Sequence, residues 1–265
     1  WLDKDGQTGQ LRRHLWEPLC LAALNLPAER ASAQLFANVL RDSLGSPRRE
    51  DTDLLLPRAE FGQLLPEPAA NWLSSHGAKL QFGKRISHIG PDQNGLLIDG
   101  EIFASAILAT APQHAATLWP ELTINDDFEP IATVYLQFGP KISLAFPLLN
   151  LLGKHGQWVV DRSNGLLACV LSGRGDWEAL DDAALTASLE DELGFPEKAH
   201  WHRVVREKRA TFSARPALHR PDCATSNPRL FLAGDYTWAD YPATLEGAVR
   251  SGRRAARMAL SCEQP

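Results

Sequence analysis

The chain has 265 residues, of which 44% are hydrophobic and 22% charged, with a formal net charge of −5. This composition excludes disordered, collagen-like and coiled-coil chains, and the length allows a substantial core. The acidic balance gives no electrostatic reason to expect nucleic acid as a partner. The chain begins at Trp1 and its one methionine is Met258. We therefore expect that an N-terminal portion of the protein is missing.

The cysteines and histidines show no CxxC or HExxH spacing, so no metal site is expected. Four widely separated cysteines are typical of free thiols in a reducing compartment: Cys20, Cys169, Cys223 and Cys262. No apolar run approaches the roughly 20 residues that span a bilayer. We therefore predict a cytoplasmic protein.

In the first third of the chain, apolar periodicity predicts helices over 11–26, 29–44 and 61–76. The charged stretch 47–53 is predicted as a surface loop, with a lid as the alternative, and 54–56 as a short strand. Strands are then predicted over 79–82, 85–89, 96–98 and 101–103. Asn94-Gly95 and Asp99-Gly100 are the expected hairpin turns.

In the rest of the chain, the apolar run 106–109 leads to Pro112, which can open a helix. Strands over 131–138, 158–161, 166–171 and 201–212 and a helix over 181–193 predict a separate antiparallel sheet. A strand over 230–233 and a helix over 243–260 follow. The predicted fold class is therefore α/β, with mixed and antiparallel sheets.

The last strand runs directly into Gly234-Asp235. A buried parallel strand would deliver this carboxylate to the carboxyl edge of a sheet, where ligands of α/β folds bind. Asp235 could accept hydrogen bonds from the hydroxyls of a ribityl or ribose chain. The next helix begins after Pro242 among small residues, and its free N–H groups could face a ring edge or an anion. Together these features predict a cofactor site.

The residues LFLAGD at 230–235, YPATLEGA at 241–248 and Ser251-Gly252 closely resemble the C-terminal flavin-binding motif of the amine oxidase and phytoene desaturase superfamily. Shorter stretches resemble its squalene-associated branch, the hydroxysqualene dehydroxylases: 16–19, 38–44, 54–58, 135–138 and 206–212. The GxGxxG turn with which that superfamily binds the FAD diphosphate does not occur here. We expect it in the missing portion, and weak or absent FAD binding by this piece.

The resemblance implies a partial Rossmann-like FAD-binding domain formed by 78–114 and 222–262, and a substrate domain formed by 1–77 and 115–221. It implies that Asp235 meets the ribityl chain and that the backbone of Thr244, Leu245 and Glu246 faces the pyrimidine edge of the flavin. Gly234, also counted as cofactor-binding, permits close approach of the backbone. It further implies that the backbone of Ile86 meets the adenine and that Thr110 lies near the cofactor.

The activity implied is the reduction of hydroxysqualene to squalene by hydride transfer from reduced FAD. Carotenoid-type desaturation and amine oxidation on the same fold remain alternatives, as does a catalytically silent apolar-ligand-binding or interaction domain. The acid for the leaving oxygen is not identified; Lys208, Asp240 and Tyr241 are candidates. An apolar isoprenoid substrate implies peripheral membrane association, through the helices within 11–44. The sequence does not determine the oligomeric state.

Overall fold

The computed structural model describes residues 1–153 and 155–262 of the chain. Its α-helices are α1 (Gly9–Leu11), α2 (Glu17–Leu24), α3 (Ala33–Leu44), α4 (Phe61–Leu64), α5 (Pro66–Ser75), α6 (Pro112–Leu118), α7 (Asp182–Leu193) and α8 (Leu245–Cys262). Its strands are β1 (Ile89–Asp92), β2 (Gly95–Ile98), β3 (Glu101–Phe103), β4 (Ala106–Leu108), β5 (Phe128–Gln137), β6 (Leu148–Asn150), β7 (Trp158–Asp161), β8 (Leu166–Ser172), β9 (Trp201–Phe212) and β10 (Leu230–Leu232). The mixed α/β class is confirmed.

The largest sheet is antiparallel, with strand order β6-β7-β8-β5-β9. Along β5, alternate side chains are buried, which is the pattern of a strand with one face on a core. Helix α7 covers that face through Leu185 and Leu189. Asp181 caps the helix by accepting a hydrogen bond from the Ala184 N–H at 2.8 Å, as its acidic start predicts.

A second layer joins two segments that are far apart in sequence. Strands β4 and β10 pair in parallel, with Leu230 opposite Ala106 and Leu232 opposite Leu108. Strands β1, β2 and β3, which precede β4 in the chain, form a separate small antiparallel sheet. The turn from β2 to β3 is the predicted Asp99-Gly100, and both residues have positive φ, as a tight two-residue hairpin requires.

The N-terminal helices pack on the core that contains β4 and β10. A single π-helical turn over Arg12–Trp16 connects α1 to α2, so the predicted helix over 11–26 is present but ends at Leu24. Helix α3 begins at Ala33, not at residue 29, because the Ser32 side chain caps it. Gly45 follows its last residue, as predicted.

Several predicted strands are wrong. Residues 54–56 and 79–82 are not strands, and 85–89 becomes a strand only at Ile89. The physical reason is the absence of a partner: among the described residues no strand pairs with either segment, and Leu55 is 88% exposed. The first hairpin turn lies one residue earlier than predicted, since Asp92 pairs with Gly95. Strand β6 was not predicted from the sequence.

The stretch 47–53 is an ordered surface loop that contains a 3-10 turn over Arg49–Thr52. Asp51 holds it by accepting hydrogen bonds from the Ser46 hydroxyl and the Arg48 guanidinium. In the part of the chain that the structure describes, no helix is long and apolar enough to cross a membrane.

Asn25 fastens the end of α2 to the large sheet. It is 4% exposed and adopts a left-handed conformation with φ 53°. Its side-chain amide donates to Thr211 Oγ1 at 2.9 Å and to the Pro130 carbonyl at 3.2 Å, and its carbonyl oxygen accepts from the Gly173 N–H. One side chain thus joins α2 to β5, β8 and β9.

Asn25→Ala should lower the free energy of unfolding by about 2–4 kcal/mol, because it leaves buried polar groups without partners. Asn164→Ala is the matched control, since Asn164 has φ 54° but is exposed. Asn164→Ala carries the same cost of a left-handed backbone conformation, but it breaks no buried side-chain hydrogen bonds. Urea unfolding measures both variants; equal losses would contradict the role given to the Asn25 side chain.

Candidate functional site

The parallel pair β4–β10 brings two sequence-predicted residues to one edge. The Ala233 N–H donates to the Leu108 carbonyl at 3.1 Å, so the chains leave the two strands side by side. Thr110 follows β4, and Asp235 follows β10. The Thr110 hydroxyl is buried and has no hydrogen-bond partner among the described residues. This is the carboxyl edge at which α/β folds bind ligands.

Gly234 holds the turn between β10 and α8 close to its neighbours. A Cβ at this position would lie 2.3 Å from Tyr236 Cε1, so a larger residue would displace the ring. The Gly234 N–H donates to Ser251 Oγ at 3.0 Å, and its carbonyl accepts from Thr237 Oγ1 at 3.0 Å. Ser251, which lies on α8, is 1% exposed. Its hydrogen bond with Gly234 fixes α8 against the turn that carries Asp235.

Asp235 is largely buried, and burial raises the pKa of its carboxyl above the ordinary value. A hydrogen bond from the Tyr236 N–H at 2.9 Å and the positive charge of Arg220 oppose that increase in pKa. A carboxylate removed from water with so few donors is costly by itself. Hydroxyl groups of a bound ligand would supply the missing donors.

The first turn of α8 offers free backbone donors beside this carboxylate. Thr244 Oγ1 accepts from the Gly247 N–H at 3.1 Å and so caps the helix. By helix geometry, the Leu245 and Glu246 N–H groups have no intrahelical acceptor. The Leu245 side chain is 74% exposed, and the Glu246 carboxylate pairs with Arg250 at 2.6 Å. The resemblance implies a cofactor contact through this backbone, and the free N–H groups of the turn are compatible with it.

A cavity of about 360 Å³ opens at the start of α8. Its lining residues come from α3, from the loop before α8 and from α8: Val39, Asp42, Ser43, Tyr241, Thr244, Glu246 and Arg250. The Tyr241 hydroxyl donates to Asp42 Oδ2. This bond lowers the pKa of Asp42 and raises the pKa of Tyr241, so the pair is an ionised carboxylate with a neutral phenol.

The loop over 238–241, between the Asp235 turn and α8, is held from two sides. The Asn38 amide on α3 donates to the Asp240 carbonyl at 2.9 Å. The Arg220 guanidinium donates to the Trp238 carbonyl at 2.8 Å and to the Tyr241 carbonyl at 2.6 Å. The loop that connects the two predicted cofactor elements is thus attached to the predicted substrate region.

Other sequence candidates lie elsewhere. Ile86 precedes β1 and is half-buried against the core that includes β10; the structure places it outside a strand. Lys208 is exposed on β9, and the Asp240 side chain is exposed. Of the three acid candidates, only Tyr241 lines the cavity at the start of α8.

Tryptophans that could line an apolar substrate site do not share one environment. Trp177 is buried in the core of the large sheet, whereas Trp201 is 49% exposed. Trp238 lies in the loop before α8. His200 and His202 stand two residues apart, yet no group of three metal-ligating side chains occurs within the described residues.

Sequence reasoning missed Asn38, Asp42 and Arg220. Asn38 and Asp42 stand four residues apart, which places them on one face of α3; that spacing was a usable signal. Arg220 binds main-chain carbonyls, which every residue possesses, so no pattern of side chains could reveal its partners.

The site fits a flavin nucleotide on its own chemistry. A buried carboxylate short of donors, an unpartnered Thr110 hydroxyl and free helix N–H groups lie on one edge and the adjoining helix start. These are the groups that a polyol chain and the polar edge of a heterocycle would engage.

Residues 6–260 match the sequence profile of the family described as Flavin containing amine oxidoreductase. The chain is 32% identical to the hydroxysqualene dehydroxylase of Rhodopseudomonas palustris, covering 96% of this chain and 64% of that protein. It is 24% identical to the zeta-carotene desaturase of Synechocystis, covering 98% of this chain and 65% of that protein. The chain thus spans just under two thirds of the length of these relatives.

The fold is also similar to that of a putative protoporphyrinogen oxidase from Exiguobacterium, with a TM-score of 0.68 and 16% identity. That likeness covers 95% of this chain and 64% of the solved one. At this identity it establishes the fold alone.

Asp235→Asn should stabilise the chain near neutral pH and weaken FAD binding roughly tenfold or more, because hydrogen bonds to a charged acceptor are the stronger ones. With a raised pKa, the folded state binds more protons than the unfolded state, so stability falls as pH rises above the ordinary value of 3.8. The Asp235→Asn variant should lack this decrease of stability with pH.

Urea unfolding at pH 4 and pH 7, together with flavin titration, measures both effects. Asp126→Asn, on an exposed carboxylate in the loop before β5, is the control. If Asp235→Asn destabilises the chain at pH 7, the carboxylate is not the costly group that its burial indicates.

Proposed function

The chain belongs to the family of flavin-containing amine oxidoreductases, and from this premise we propose that the protein is a hydroxysqualene dehydroxylase. The observation that carries the proposal is its greater identity to the dehydroxylase than to the desaturase, at nearly the same coverage. The substrate class common to both relatives is an apolar isoprenoid. A desaturase acts on a hydrocarbon, so the feature to look for is a polar group that could hold a hydroxyl.

The Asp42–Tyr241 pair supports the proposal. It places an ionised carboxylate and a phenol in a cavity whose wall also carries the apolar Val39. A hydrocarbon would leave such a pair without a ligand, whereas an allylic alcohol can donate to the carboxylate and accept from a neighbouring donor. We assign Asp42 and Tyr241 to recognition of the substrate hydroxyl.

In the net reaction, the allylic C–O bond breaks, a C–H bond forms at the same carbon, and the hydroxyl leaves as water after gaining a proton. Reduced FAD, when bound, supplies the hydride. Asp235 and the first turn of α8 would hold its ribityl chain and ring edge. The pKa directions of Asp42 and Tyr241 make both poor proton donors, so they orient the alcohol and the proton comes from another group.

The direct test incubates the whole protein, including the expected N-terminal portion, with hydroxysqualene, FAD and a reductant, and measures squalene by gas chromatography. We expect squalene to accumulate with the consumption of reduced flavin. Parallel incubation of an acyclic carotene with oxidised FAD tests the desaturase alternative. Flavin that is bound and reducible but yields no squalene would contradict the proposed reaction, and a purified chain that binds an isoprenoid without FAD would favour the silent binding domain.

Tyr241→Phe and Asp42→Asn should each lower kcat/KM for hydroxysqualene by about tenfold, because Phe lacks the phenol hydroxyl and Asn replaces the charged acceptor with a neutral amide. Tyr135→Phe is the matched control, since Tyr135 lies on β5 in the large sheet. Both cavity variants should bind squalene itself as well as the unmodified protein does. If the variants lose affinity equally for hydroxysqualene and for squalene, these residues do not recognise the hydroxyl.

We further propose that such a substrate reaches the protein from a bilayer surface, with the protein in the cytoplasm. Leu11 and Leu15, in the helices predicted to make that contact, are 47% and 43% exposed.

A further inference from the structure

The Arg220 side chain binds several main-chain carbonyls of one loop. Its guanidinium donates to the carbonyls of Trp238, Ala239 and Tyr241. It also lies over the Phe212 ring, with Cζ 4.8 Å from the ring centroid. One side chain therefore links the end of β9 to the loop over 238–241.

The choice of arginine has a physical reason. Its planar fork presents five N–H donors in fixed directions, which suits several carbonyls at once and stacks on an aromatic ring. A lysine would bring the same charge but only a compact ammonium, which cannot reproduce both the fork and the stacking. Arg220 is more than half buried, so water does not readily replace these bonds.

The loop that Arg220 holds sets the distance between two groups. Asp235 stands before it, and the free N–H groups of the α8 start stand after it. Asn38 and Asp42 hold the same loop from α3. Within the loop, Asn38 bonds to Asp240 and Asp42 bonds to Tyr241. The charge of Arg220 additionally acts on Asp235, the carboxylate short of other donors.

We propose that Arg220 is the positioning residue of the FAD site, which fixes the loop over 238–241 so that Asp235 and the start of α8 engage one cofactor together. This rests on the proposed assignment of those elements to FAD. Arg220 need not touch the cofactor, because it acts through the main chain of the loop.

The experiment measures the FAD affinity of the whole protein, including the expected GxGxxG portion, by flavin fluorescence in Arg220→Lys and Arg220→Ala. We expect at least about a tenfold loss in both, since lysine keeps the charge but cannot make the three carbonyl bonds. Millimolar guanidinium, well below denaturing concentrations, should restore affinity to Arg220→Ala and leave Arg220→Lys unchanged. Arg229→Lys is the matched control: Arg229 also donates to main-chain carbonyls, of Asn94 and Ala104, but at the other end of β10.

A second readout needs no cofactor. Chymotrypsin cleaves after aromatic residues but not before proline, so within the loop its site is the Trp238–Ala239 bond, since Tyr241 precedes Pro242. Arg220→Ala should be cleaved there faster than the unmodified protein or Arg229→Lys. Wild-type FAD affinity in both Arg220 variants would overturn the proposal, as would a loss of affinity with unchanged cleavage and no guanidinium rescue. If the unmodified protein binds no FAD but cleavage depends on Arg220, the assignment to FAD fails while the positioning of the loop stands.

Discussion

The parallel pairing of β4 with β10 is the constraint on which the site depends. Only three residue pairs form this ladder, yet they join segments separated by more than a hundred residues in the chain. Because parallel strands end at the same edge, the pairing places Thr110 beside the turn that carries Asp235. Helix α8 then packs back on β10 through Ser251 and Ala255. The relative positions of Thr110, Asp235 and the start of α8 follow from that short ladder.

A few polar side chains attach this edge to the rest of the molecule by hydrogen bonds. Ser251 fixes α8 to Gly234, and Asn38, Asp42 and Arg220 hold the loop over 238–241. Asn25 performs the same function at the large sheet. Each joins elements that hydrophobic packing alone would leave free to slide, because hydrogen bonds to carbonyls specify direction as well as contact.

Burial of Asp235 carries a cost that the fold compensates only in part. The backbone N–H groups of Tyr236 and of Asp235 itself and the charge of Arg220 lower its pKa, but burial outweighs them and raises it. Glu129, which is 0% exposed, is also only partly satisfied: its Oε1 receives the Arg30 guanidinium and the Ser213 hydroxyl, while its Oε2 has no hydrogen-bond partner among the described residues. Asp235 differs from Glu129 in its position, because it stands after β10 at the carboxyl edge where α/β folds bind ligands. That position, together with its raised pKa, is the reason to propose it as a ligand-binding group.

The sequence by itself determined the elements whose signal is local. The acidic first turn of α7, the small residues after Pro242 at the start of α8, the alternation along β5 and Pro112 at the start of α6 were sufficient for those predictions. So was the residue pattern from 230 to 252, from which family and cofactor motif were both inferred. The failures at 54–56 and 79–82 have one cause: strand formation requires a partner, and period-two alternation says nothing of whether one is present.

Only the tertiary structure decided which residues act together. Asn38, Asp42 and Arg220 are separated from their partners by long stretches of chain, and two of the three bond to main-chain carbonyls. A backbone carbonyl has no identity in a sequence, so contacts of this kind leave no pattern to find. The sequence therefore supplied the carboxylate and the helix start, and the fold supplied the geometry that holds them to one site.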